Sequence, residues 1–172
     1  MSEQNPYSPP GASLSGVTAA TYNPSIISFK GRIGRLRYLA YSLGVSLLLM
    51  AIMVPFTGLA ALSGLPGEMS TIAMIVYSLV NILSIVITVM FAKRRLNDLN
   101  RSGWYLLLFI VPVINLLLII YLLFFSGTDG ENDYGPQAVA NTLGVKILGL
   151  LMPLVFFAGI GAAILIPMMP QS

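Results

Sequence analysis

The residues best able to do chemistry with one another lie in the stretch AKRRLNDLNRSGW, where Lys93, Arg94, Arg95 and Arg101 surround the acid Asp98. An arginine fork grips a carboxylate or a phosphate in bidentate fashion. The plainest reading is a topology anchor, because cations at the end of an apolar helix suit its negative pole and an anionic leaflet. Ser102 would then cap the next helix, and Asn100 or Gly103 would take the left-handed turn; Trp104 follows as an interfacial anchor. Asp98 fits this reading poorly, since an acid near a helix C-terminus is unfavourable unless paired. Arg94, four residues away, and Arg95 and Arg101, three away, offer local pairs of roughly 0.2–0.5 kcal/mol each. A sharper reading brings in FKGRIGRLRYLAYS, whose Arg32 or Arg35 would clamp Asp98 across the molecule. In a third, the arginines hold a lipid headgroup or another phosphate.

Other chemistries lack their residues. The chain has no Cys and no His, which removes disulfides, thiol catalysis and imidazole chemistry. Asp129, Glu131 and Asp133 alternate as in a calcium loop. That pattern wants Gly where Tyr134 stands and Glu where Ala140 stands, so a solvated loop is expected and no metal. No phosphate-binding glycine loop, zinc pattern or nucleophile elbow is present. The expectation is a protein without enzymatic activity or cofactor. Nucleic acid is not an expected partner, since every basic residue serves equally well as a membrane flank.

The elements that position these residues follow from composition. Of 172 residues, 56% are hydrophobic and 9% charged, with mean hydropathy +0.86; a soluble domain carries about a quarter charged residues. Apolar runs at about 39–62, 71–92, 104–125 and 143–166 are each long enough for about 30 Å of hydrocarbon at 1.5 Å per residue. Pro55 and Gly58 would bend the first, Pro112 the third and Pro153 the fourth. Residues 1–28 are rich in Pro, Ser, Gly and Ala and read as a flexible tail without a signal peptide, so the first span would serve as an uncleaved signal. Eight of the nine basic residues lie before the first run or between the second and third. The positive-inside rule then puts both termini and the middle loop in the cytoplasm, and the acidic 126–142 loop on the far side. The expected fold is an all-α integral membrane protein: a small antiparallel four-helix transmembrane bundle with a disordered N-terminal tail.

Within the spans, Asn81, Ser84, Thr88 and Asn115 are the main polar groups, and no charge falls near the midplane. Coupled transporters need such charges; the amides read better as bonds between helices. Small residues Ala158, Gly159, Ala162 and Ala163 at four-residue spacing would allow close helix packing, within the bundle or between copies. The expected partners are the bilayer with its anionic headgroups, and a membrane protein or a second copy. A structural or accessory interaction role follows, with small-molecule or lipid transport as the alternative and lipid-phosphate chemistry third.

Three motifs in order resemble the Domain of Unknown Function 805 family of bacterial inner-membrane proteins. Gly31, Arg32 and Arg35 precede the first span. Arg94, Arg95, Leu96, Asp98, Arg101, Ser102, Gly103 and Trp104 follow the second, and Gly127, Gly130, Asn132, Tyr134, Gly135 and Pro136 follow the third. The resemblance covers roughly residues 29–136. Many members carry His where Asn97 stands, a departure that argues against histidine chemistry as the shared function. The resemblance implies a bacterial inner-membrane location and no established activity.

Overall fold

The computed structural model describes residues 20–62 and 68–165. Four α-helices form: α1 (Arg35–Leu62), α2 (Glu68–Asp98), α3 (Ile114–Phe124) and α4 (Leu143–Leu165). A 3-10 helix covers Gly103–Ile110, and β1 (Thr21–Tyr22) pairs in parallel with β2 (Gln137–Ala138). Helices α1, α2 and α4 are each long and apolar enough to cross a bilayer. Pro55 and Pro153 both lie inside helices.

The third run departs from expectation. It is two short arms, not one span. The 3-10 arm has 8 residues and rises about 2.0 Å per residue; the α3 arm has 11 and rises about 1.5 Å. Each arm therefore reaches about 16 Å, half of a hydrocarbon core. Pro112 does not kink a helix here; it sits in the break between arms, beside Val113 at φ 70. A β-branched residue rarely adopts that backbone, and its presence marks a sharp reversal. Asn115 Nδ2 closes the bend by donating to Phe109 O at 3.1 Å.

Both arms return to the C-terminal turns of α2. Ala92, Leu96 and Leu99 of α2 form one buried cluster with Leu118 and Leu122 of α3, against Leu106 and Phe109 of the 3-10 arm. A second cluster joins Ile33 to Met90 and Phe91, with Tyr41 and Phe91 ring centroids 5.6 Å apart. Buried side chains thus collect where α1 begins and α2 ends, while the distant parts of α1, α2 and α4 stay largely exposed.

Helices α1 and α4 pack extensively along each other. Gly149 lies against Leu36, one residue into α1, and α4 continues well past that point to Leu165. The pair can make a long contact only by running in the same direction. This departs from the expected antiparallel order, and the cause is the folded-back third run, which starts α4 at the same end as α1. The acidic loop is likewise relocated: residues 126–142 lie against Arg32 and Arg37, not at the opposite end.

The expected tail divides. Residues 1–19 lie outside the described residues; residues 20–28 are held by the β1–β2 pairing and by contacts to Arg94. Of the small residues expected to pack at the end of α4, Gly159 meets no neighbour of an added Cβ within 4 Å among the described residues of the chain. The close approach falls at Gly149, where an added Cβ would come 2.6 Å from Leu36 O. Gly149→Leu should therefore destabilise the α1–α4 pair by about 1–3 kcal/mol, seen as a lower thermal midpoint in detergent, while Gly159→Leu should leave that midpoint near the parent value.

Candidate functional site

Helix α2 does not end before the charged stretch; it carries Lys93 to Asp98 on its last turns. Its stop is written in the turn that follows. Asn100 takes φ 54, the Arg101 N–H donates to Leu96 O at 2.9 Å, and the Asn100 N–H donates to Asn97 O at 3.1 Å. This is the two-bond ending that satisfies carbonyls a helix would otherwise leave bare. Ser102 Oγ then accepts from Trp104 N at 3.4 Å and starts the 3-10 arm.

Asp98 stands at the centre of what α2 presents. Its Oδ2 accepts from Arg95 Nη1 at 2.6 Å and its Oδ1 from Arg32 Nη2 at 3.3 Å. Both arginines are fully buried and the acid is 4% exposed. One carboxylate cannot balance two buried cations, so backbone carbonyls do the rest. Arg32 donates through Nη1 to Gly130 O at 2.7 Å and Gly135 O at 3.1 Å, and through Nη2 to Thr128 O and Thr128 Oγ1. Arg95 donates through Nε to Leu122 O at 2.8 Å and through Nη2 to Phe125 O. Arg35, more exposed, donates to Phe124 O at 3.1 Å. Leu122, Phe124 and Phe125 end α3, so the cations sit where its dipole is negative.

The loop is shaped for this. Gly127 packs so closely on the Asp98 carboxylate that no Cβ would fit. Gly130 at φ 68 and Gly135 at φ 105 turn their carbonyls toward Arg32. Asn132 Nδ2 donates to Asn97 O at 2.9 Å and to Thr128 Oγ1 at 2.7 Å. The carboxylates of Asp129, Glu131 and Asp133 stay on exposed residues.

Arg94, also fully buried, donates to Ser25 O at 2.8 Å and Ile26 O at 3.2 Å. Arg101 lies outside the cluster: it is exposed, and its Nε approaches Tyr121 Oη at 3.4 Å, a hydrogen bond that raises its pKa. Trp104 is 77% exposed. The structure thus gathers Arg32, Arg95 and Asp98, with Arg94 and Arg35 at the edges, and leaves Arg101 and Trp104 outside. Sequence reasoning missed Tyr22, whose hydroxyl bridges the N–H and carbonyl of Arg32, and Thr128, whose N–H donates to Asp98 O at 2.8 Å. Tyr22 is an aromatic in a Pro- and Ser-rich segment, and that isolation was its only signal.

These features define a helical protein with, among the described residues, three helices long and apolar enough to cross a bilayer and a buried arginine–aspartate clasp at one end. Residues 26–136 match the family described as "Protein of unknown function (DUF805)", and the chain belongs to that family. It is similar to inner membrane protein YhaH of Escherichia coli K12, at 50% identity over 44 residues, which is 26% of this chain and 36% of YhaH. Inner membrane protein YhaI of the same strain is 48% identical over 44 residues, covering 37% of YhaI. The match therefore spans little more than a third of either relative. No solved structure matches.

Removing the acid strands two buried guanidinium groups, and breaking a buried pair in this way costs about 3–5 kcal/mol. Asp98→Asn should lower the thermal midpoint in detergent accordingly, Gly127→Ala should approach that loss by displacing the carboxylate, and Asp129→Asn should leave it unchanged. A midpoint for Asp98→Asn equal to the parent would show that the clasp does not hold the fold.

Proposed function

We propose that the protein is a non-enzymatic, multi-pass inner-membrane interaction protein, which packs α2 against a second copy of itself within the bilayer. The observation that carries this reading is the surface of α2. Its half-buried row is Ala73, Val76, Val80, Ser84 and Ile87; Ser78 and Asn81 lie outside that row and are exposed. Ser78 Oγ donates to Met74 O and Asn81 Nδ2 to Tyr77 O, each at 2.8 Å. Asn81 keeps its Oδ1 for a neighbour. An amide facing hydrocarbon gains about 1 kcal/mol from a partner amide on a facing helix, and a second α2 presents that group in self-complementary form.

Two competing roles find less support. A transport path would gather the polar groups of the spans around one cavity. Asn81 and Thr88 instead bond backbone of their own helix, and Asn115 is used within the folded-back hairpin. Phosphate chemistry would want a free acid, whereas each Asp98 oxygen faces a guanidinium.

In this reading the basic end faces the cytoplasm. The α1 helix leaves it, α2 returns, the hairpin dips in and comes back, and α4 leaves again. Three crossings replace the four of the sequence expectation and place the C-terminal end of α4 on the periplasmic side.

The absence of native Cys makes single-cysteine crosslinking clean. Ser78→Cys should give a disulfide-linked dimer in native membranes, and adding Asn81→Leu should reduce its yield severalfold. Crosslinks to a different membrane protein, with no dimer, would overturn self-pairing. A reporter fused after α4 should register as periplasmic, and a cytoplasmic signal would restore the fourth crossing.

A further inference from the structure

A hollow of about 770 Å³ opens beside the clasp, between the 3-10 arm and the segment before α1. Its wall carries Lys30, Lys93, Ser102 and Asn97; its apolar side carries Leu106 and Leu107, and Trp104 stands at the edge. Among the described residues the ion pairs are those of Asp98, so neither lysine is matched by a carboxylate. Lys93 Nζ lies 6.0 Å from the Phe29 ring centroid, and the ring helps hold it at the wall. Asp133 and Tyr134 close the rim.

Asn97 adds a second kind of demand. It is 4% exposed. Its Nδ2 donates to Gly31 O at 3.1 Å, which fixes the amide, and its Oδ1 has no hydrogen-bond partner. A buried acceptor left bare costs about 1–3 kcal/mol, so a donor brought by a ligand would be favoured. The hollow thus asks for an anionic group between two ammoniums, a hydrogen-bond donor near Asn97 and Asp133, and an apolar extension along Leu106 and Leu107.

We infer that this hollow binds one phospholipid whose headgroup carries N–H or O–H donors beyond its phosphodiester. The phosphodiester lies between Lys30 and Lys93, the headgroup donor meets Asn97 Oδ1 and the Asp133 carboxylate, and the acyl chains descend over Leu106 and Leu107. Phosphatidylethanolamine and phosphatidylglycerol share this chemistry. Phosphatidylcholine has the same phosphate and chains but a trimethylated nitrogen with no N–H. Among the basic residues of the stretch, Lys93 serves this lipid while Arg94 and Arg95 hold the fold.

Trp104 is the chain's one tryptophan, so its fluorescence reports on the hollow directly. The full-length protein is reconstituted into phosphatidylcholine vesicles doped with equal amounts of brominated phosphatidylethanolamine, phosphatidylglycerol or phosphatidylcholine. Quenching should be stronger with the first two. Lys30→Gln with Lys93→Gln should lower the preference for phosphatidylglycerol, the anionic one of the three, about thirtyfold, from roughly 1 kcal/mol per lysine, and Asp133→Asn should lower that for phosphatidylethanolamine. These lysines make no side-chain bond to the clasp, and an unchanged thermal midpoint checks that the variant is folded. Arg101→Gln removes an exposed cation outside the hollow and should leave the preference intact. Equal quenching by all three lipids, or equal loss in the Arg101 variant, would overturn the site. Protection of Trp104 by glycerol 3-phosphate or inorganic phosphate, without any difference between lipids, would assign the hollow to a soluble phosphate and overturn the lipid. The outcome is independent of α2 pairing, which crosslinking reads separately.

Discussion

Asp98 and the two buried arginines that hold it, Arg32 and Arg95, are the constraint on which the rest depends. Burying three charges is unfavourable on Coulomb terms alone unless every remaining donor is met. The chain meets most of them with main-chain carbonyls, and those carbonyls come from segments far apart in sequence. Arg32 reaches Thr128, Gly130 and Gly135; Arg95 reaches Leu122 and Phe125. The acid therefore specifies geometry more than it supplies stability. Each guanidinium is a rigid fork, and its remaining N–H groups point where a loop or a helix end must be.

That demand explains the third apolar run. A helix crossing the bilayer would carry its last carbonyls to the opposite end. Arg95 needs Leu122 and Phe125 beside α2, and Arg35 takes Phe124 between them. Only a run that turns back delivers them, and Pro112 with Val113 makes the turn. The same return brings the acidic loop under Arg32 and launches α4 alongside α1. Three helices long enough to span, and a parallel pair among them, follow from where three carbonyls have to be.

Much of this was written in the sequence, unevenly. The membrane-like helices were legible because their apolar runs are long, and the ends of α1 and α4 fall close to the expected limits. Ser102 as a cap and Asn100 as the left-handed residue were legible from residue type. Asp98 stood out because it opposes the helix dipole, and of the candidates Arg32 and Arg35 the structure sets Arg32 against it. The hairpin was not legible. Hydropathy counts apolar residues over a window, and a reversal in mid-run leaves the count unchanged. The role of residues 126–136 was hidden for a related reason: backbone carbonyls do the bonding, and they leave no mark in side-chain identity beyond the glycines that free them. Tyr22 was missed because a short segment poor in hydrophobic residues gives no sign that it is held by two bonds.

The parallel pairing of β1 with β2 bears on synthesis. Tyr22 is paired by Ala138 and Val139, more than a hundred residues later, and Arg32 waits for carbonyls almost as distant. Loop closure over such separations is slow relative to local helix formation. Helices α1 and α2 are therefore complete in the growing chain while the arginines at their shared end still lack the carbonyls of residues 122–140. Until those carbonyls arrive, burying the arginines would leave their N–H groups unpaired, which is costly. The end of the molecule that becomes its most buried part therefore cannot close before residues 122–140 are in place.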